Sequence, residues 1–273
     1  MLPLRRITSD LRELRWGQVF VELVLLIAGI LIALAVNGWI EDRRDAQTER
    51  QYLEGIVRDL DRDLTVLKEF ADYHQSQIAD GVMAYRALRT EPDVKDKEGV
   101  ARAVSRLMSR RTLRLSHPTY SNLVGTGNAR LIRNVELRDR IVGLYETNER
   151  WVAIIDRNNL VFVDQMFAEY MMGSALVAPR PSSNLPSAQR ENERFAALVG
   201  IPVGVRNDRL WGLAADSPER GVLANKVWYR SLVSFAAVSQ ANDVAQGVTA
   251  VREAIVDELR RRWPDARPAA PAH

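Results

Sequence analysis

The sequence predicts an all-α protein in which one N-terminal transmembrane helix continues into a bundle of long helices. Three observations carry this. Residues 19–40, VFVELVLLIAGILIALAVNGWI, are apolar from Val19 to Val36 apart from Glu22. As a helix they rise about 33 Å, enough to cross a hydrocarbon core of roughly 30 Å. Beyond them apolar side chains recur at spacings of three and four, and no segment reads convincingly as a strand.

Composition agrees with a soluble body carrying one membrane segment. The chain has 273 residues, is 47% hydrophobic and 27% charged, and has a mean hydropathy of −0.20. That excludes a polytopic transporter. Cysteine is absent, which rules out a disulfide scaffold, thiolate metal sites and cysteine catalysis. The net charge of +3 hides an uneven distribution. Residues 41–98 are net acidic and residues 99–140 are strongly basic, so these stretches read as neighbours that attract each other, or as a surface for an anionic partner.

Residues 1–18 form an N-terminal tail with Arg5, Arg6, Arg12 and Arg15, against Arg43, Arg44 and Arg50 just after the span. The slight excess on the first side predicts a cytosolic N-terminus and an extracytoplasmic body. In a bacterium this is a single-pass signal anchor of the inner membrane. Trp16 and Trp39 flank the span where interfacial aromatics belong. Ala33-Leu34-Ala35 imitates a signal-peptidase site, but helical patterning continues past it through Trp39 and Ile40. Within the span Glu22, Gly29, Ala33 and Asn37 fall toward one side of a helical wheel. Small residues there let a second helix approach, and polar ones seek partners, so this side is a candidate homo-oligomer or membrane-protein contact. The other reading is a lone anchor whose Glu22 reaches toward headgroup water.

The body spans 41–263. No Gly or Pro stops the helix after Trp39, and Tyr52, Leu53, Ile56, Leu60, Leu64, Leu67, Phe70, Ile78, Val82, Tyr85 and Leu88 mark one face, interrupted only by Gly81. The membrane helix therefore runs on as a long stalk to a break at Pro92. A second helix holds Val100, Ala103, Val104, Leu107 and Met108. Pro118 opens a short helix ending at Gly125 or Gly127. Asn134 caps a helix reading from Val135 to about Met172. Periodicity collapses over 173–216, where only Ser187 to Val199 reads as helical. Asp216 or Ser217, with Pro218, starts a last helix carrying Leu223, Val227, Leu232, Phe235, Val238 and Val244 and ending at Trp263. Residues 264–273 are a Pro/Ala tail expected to be unstructured.

Motifs with chemistry are weak. Asp59-Leu60-Asp61-Arg62-Asp63 imitates a calcium loop, but Leu64 and Phe70 stand where Gly and Glu are needed. These acids read as a solvated helix face. Gly125-Thr126-Gly127 follows a helix, not a strand, so it is no phosphate loop. His74, His117 and His273 lack metal-ligand spacing, and no serine sits in a nucleophile turn. No cofactor or metal is expected. The most suggestive polar group is Arg106, Arg110, Arg111, Arg114, Arg130 and Arg133, with His117 and Tyr120. Converging guanidinium groups would take a carboxylate or phosphate; dispersed ones would be an Arg-rich surface.

Two stretches resemble a known family. VELVLLIAGILIALAVNGWIEDRR, through Glu22, Gly29, Ile30, Ala33, Leu34, Asn37 and Trp39, resembles the opening of domain-of-unknown-function family 6090, uncharacterised bacterial single-pass membrane proteins. HPTYSNLVGTGNARLIRNVELRDRIVGLYE, through Pro118, Thr119, Tyr120, Leu123, Gly127, Ile132 and Asn134, is similar to a second segment of that family. The resemblance covers residues 16–150; it implies the architecture and supplies no activity or site. The expectation is a non-catalytic interaction or scaffolding module at the bilayer. A binding domain for a small anion is the alternative, and an enzyme the third reading. Nucleic acid is not expected as a partner of an extracytoplasmic body.

Overall fold

The structure, a computed structural model, describes residues 16–90, 94–177 and 208–264, with positions 190, 194, 197, 198 and 200 between them. Residues 1–15 of the expected 1–18 tail, the break at Pro92, most of the Pro-rich connection and residues 265–273 of the expected 264–273 tail lie outside the described residues; Trp16, Gly17 and Gln18, read as tail from the sequence, already belong to the first helix. The fold is all-α, with no strand among the described residues.

Helix α1, Trp16–Arg89, is one unbroken helix of 74 residues. Side chains from Phe20 to Arg44 are exposed apart from half-buried Ala28, and the body begins at Asp45. This N-terminal part is the one helix among the described residues long and apolar enough to cross a membrane. The C-terminal part pairs antiparallel with α6, Pro218–Arg262, from Glu49–Arg262 through Asp61–Arg252 and His74–Ser234 to the Ala87 carbonyl, which accepts from Arg220. Ser217 caps α6 by accepting the Arg220 N–H at 3.3 Å, with Pro218 in its first turn.

Between these long helices run α2 (Lys97–Arg106), α3 (Pro118–Gly125), a 3-10 turn (Asn128–Leu131), α4 (Val135–Asn158), a π-helical stretch (Asn159–Ala168) and α5 (Glu169–Ser174). A second 3-10 turn, Arg209–Gly212, precedes α6. Helix α2 ends earlier than the periodicity predicts, so Leu107 and Met108 lie past its end. The helix expected from Val135 to about Met172 changes register midway. Its buried row, Ile155, Asn159, Val163, Phe167 and Met171, is spaced by four throughout. An α-helix advances about 40° beyond a full turn every four residues, so such a row would leave one face. The wider i→i+5 turn brings it back, and buried Asn159 donates to the Arg111 carbonyl at 3.0 Å.

Two apolar clusters form the core. The one nearer the exposed apolar end of α1 joins Leu53, Ile56, Leu60 and Phe70 to Ile141, Tyr145, Val248 and Ile255. The distal one joins Ala84 and Leu88 to Val104, Leu107, Phe167 and Val227. Between them lies a polar layer of His74, Gln77, Arg230 and Ser234, all buried. Arg230 donates to the Leu107 and Ser109 carbonyls at 3.0 and 3.1 Å, to Gln77 Oε1 and to Ser234 Oγ. Its partners are neutral oxygens, and burial pulls its pKa down to about 10.

Asp59 and Asp63 do not form the expected solvated face. Each is 1% exposed; they accept the backbone N–H groups of Thr119 at 2.9 Å and Ser116 at 3.0 Å. Glu49 does the same for Arg133 at 2.9 Å. Three α1 carboxylates thus hold the strap of residues 107–134 through its backbone, which explains how acidic groups are tolerated inside.

Candidate interaction surface

The acidic and basic stretches pair as neighbours, and the arginines of the strap are spread along the bundle. Arg106 meets Asp80, Arg111 meets Glu69 at 2.8 Å, and Arg133 meets Asp42 at 3.0 Å, all on α1. Arg114 meets Asp156 at 3.2 Å on α4, and Arg110 meets Asp164 at 3.0 Å on the π-helical stretch. Arg130 is exposed and has no ion pair among the described residues. The eight residues singled out between Arg106 and Arg133 therefore do not surround one cavity.

A subset does come together. His117 packs 4.9 Å from the Tyr145 ring, on which Tyr120 stacks at 4.0 Å and 22°. His117, Arg114, Asn148, Glu149 and Asp156 line an open recess of about 320 Å³. Buried Asn148 has neither amide atom hydrogen-bonded, and Asp156 Oδ1 is also unpartnered. His117 Nε2 lies 4.0 Å from Glu149. No hydroxyl or amine nucleophile lines the recess. Behind it, burial pushes Asp63 up to about 6, opposed by the Ser116 N–H and by His117.

The second feature is apolar and lies at the distal end. Ile78, Val82 and Tyr85 on α1 face Trp228, Leu232 and Phe235 on α6 across a groove of about 300 Å³. Both rows have i, i+4, i+7 spacing, so each is one ridge of its helix. At the floor α1 and α6 nearly touch: a Cβ on Gly81 would lie 1.8 Å from Ser231 Oγ. Periodicity assigns Val82, Leu232 and Phe235 to the core, yet they are 42%, 43% and 63% exposed, and Trp228 beside them is 51% exposed. The apolar pattern is real, and these side chains stay uncovered among the described residues. Arg86 also lines the groove, with no ion pair among the described residues.

In the membrane-length part of α1, Glu22, Gly29, Ala33 and Asn37 are exposed, and nothing lies within 4 Å of a Cβ built on Gly29. Arg43 sits over the Trp39 ring at 5.3 Å. Sequence reasoning missed Trp228, Arg230 and the buried carboxylates. The last had a signal: Asp59 and Asp63 fall in the row of Ile56, Leu67 and Phe70, where a solvated residue does not belong. No family model matches the chain, and no curated protein or solved structure matches it.

Proposed function

We propose that this chain is a bacterial inner-membrane protein, anchored by residues 19–40 with its N-terminus in the cytosol, and that its extracytoplasmic bundle is a non-catalytic interaction or scaffolding module. The observation that carries this is the presence of two uncovered apolar surfaces along α1, the second of them shared with α6. One has the length of a bilayer; the other is a groove between two ridges far from it. Large exposed apolar patches mark interaction sites. The dispersed and mostly neutralised arginines support the same reading over a small-anion sensor. In the span, Gly29 and Ala33 offer a close approach to a second membrane helix, with Glu22 and Asn37 as polar contacts.

The small-ligand alternative rests on the unpartnered Asn148 amide between Arg114 and His117. It is weaker because Asp156 already neutralises Arg114, and Glu149 faces the same space. Affinity isolation of the full chain from carbonate-washed membranes tests the main reading. It predicts retention in the washed pellet and reproducible co-purification of a protein. Release by carbonate contradicts the anchor; retention without any protein partner contradicts the module.

A further inference from the structure

We propose that the distal groove receives one amphipathic α-helix of a different protein, with acidic side chains toward one end. This rests on the interaction reading above and specifies its partner. Two antiparallel ridges with a floor closed by Gly81 against Ser231 form the concave seat into which a third helix packs its own ridge. An apolar row on that helix would cover Val82, Trp228 and Phe235 together, completing the bundle locally.

Two other occupants fit less well. Val82 lies about 63 Å along α1 from Ile40, so the bilayer holding residues 19–40 does not reach the groove. A second copy in the same membrane would present its groove at equal height, placing concave against concave and Arg86 against its own counterpart. Like charges at that point oppose the pairing.

Charge then selects the partner. At the end of the groove farthest from the span stand Arg86 and Arg89, and Arg89 donates to Asn225 at 3.0 Å. Neither meets a carboxylate in an ion pair among the described residues. Toward the other end Gln75 and Ser239 are exposed and neutral, and the exposed charges beyond them include Asp72, paired with Lys68, and Asp243. A helix with Asp or Glu at one end therefore has both a register and a direction.

The test places a photo-crosslinking residue at Phe235 or Val82 of the full chain in native membranes, with Lys68, exposed and outside the groove, as control. The crosslinked peptide is identified by mass spectrometry. The expected product at both groove positions is an apolar-striped peptide of another protein that contains Asp or Glu. Arg86→Glu should lower its yield at least tenfold, and reversing the partner's acid to Lys should restore it. Arg86 is exposed, so an unchanged melting profile for Arg86→Glu confirms an intact fold. Crosslinks to a second copy, to lipid or to residues 178–207 of the same chain would overturn the proposal, as would indifference to Arg86→Glu. Protein crosslinks at Lys68 but not in the groove would overturn it while leaving the interaction module standing. Absence of protein crosslinks at every position would remove both.

Discussion

Arg230 is a guanidinium held among neutral oxygens, which makes it the most exacting side chain in the molecule. It closes the end of α2 by taking the Leu107 and Ser109 carbonyls while bridging α1 and α6. Arg230→Met removes the charge but strands those carbonyls, and should destabilise the bundle by about 2–4 kcal/mol; urea unfolding in detergent measures this. Two buried groups give opposing pH effects. Burial, with help from Arg230 and Arg111, pulls His74 down to about 3. The unfolded chain therefore takes up that proton first, and stability is lost as pH falls below about 6.5. Asp63, pushed up to about 6, is protonated first in the folded state, so the fold gains stability between about pH 6 and 4. His74→Gln should flatten the loss of stability between pH 7 and 5, and Asp63→Asn should steepen it. Unfolding midpoints at both pH values give the comparison. Of these three only Asp63 left a trace in the sequence, by falling in the row of Ile56, Leu67 and Phe70; His74 and Arg230 left none, because a His or an Arg in an amphipathic helix looks alike whether buried or solvated.

At the scale of elements the reading fared better, because periodicity is a property of whole helices. The continuity of α1, the Pro118 start, the Asn134 cap and the Ser217-Pro218 start all followed from spacing and capping chemistry. Asn134 accepts the Leu137 N–H at 3.1 Å as a cap should, and also donates to Glu258 at 3.1 Å. What periodicity could not convey was where helices touch. Gly81, which interrupts the apolar pattern of α1, and Gly55, which does not, both mark close approach. A Cβ on Gly55 would lie 2.6 Å from Thr119 Cγ2. Gly81→Ala must displace Ser231 from its bond to the Val227 carbonyl, and Gly55→Ala must push the strap outward. Each should cost about 1–3 kcal/mol, whereas Gly29→Ala, with nothing nearby, should leave the bundle's stability unchanged. Thermal melts of the three variants test this contrast. The π-helical register was hidden because its row of four-residue spacings fits an α-helix locally and departs only over several turns.

For the whole molecule, the sequence was explicit about polarity along one axis: an apolar end, a charged middle and a body beyond. It also marked Leu232 and Phe235 as core, which they would be if the groove were filled. The surplus of apolar periodicity over observed burial is thus the link from sequence to proposed function. The proposed role requires residues 19–40 to lie in a bilayer while the bundle stands in water. Since the natural chain has no cysteine, single cysteines at Leu26, Ala33, Lys68 and Asp139 can be labelled cleanly. In sealed membrane preparations with the proposed extracytoplasmic face outward, treated with a membrane-impermeant maleimide, cysteines at Lys68 and Asp139 should label rapidly. Leu26 and Ala33 should remain unlabelled until the membrane is dissolved and the protein denatured. Labelling of Leu26 and Ala33 at the rate of Lys68 in intact membranes would contradict the proposed role.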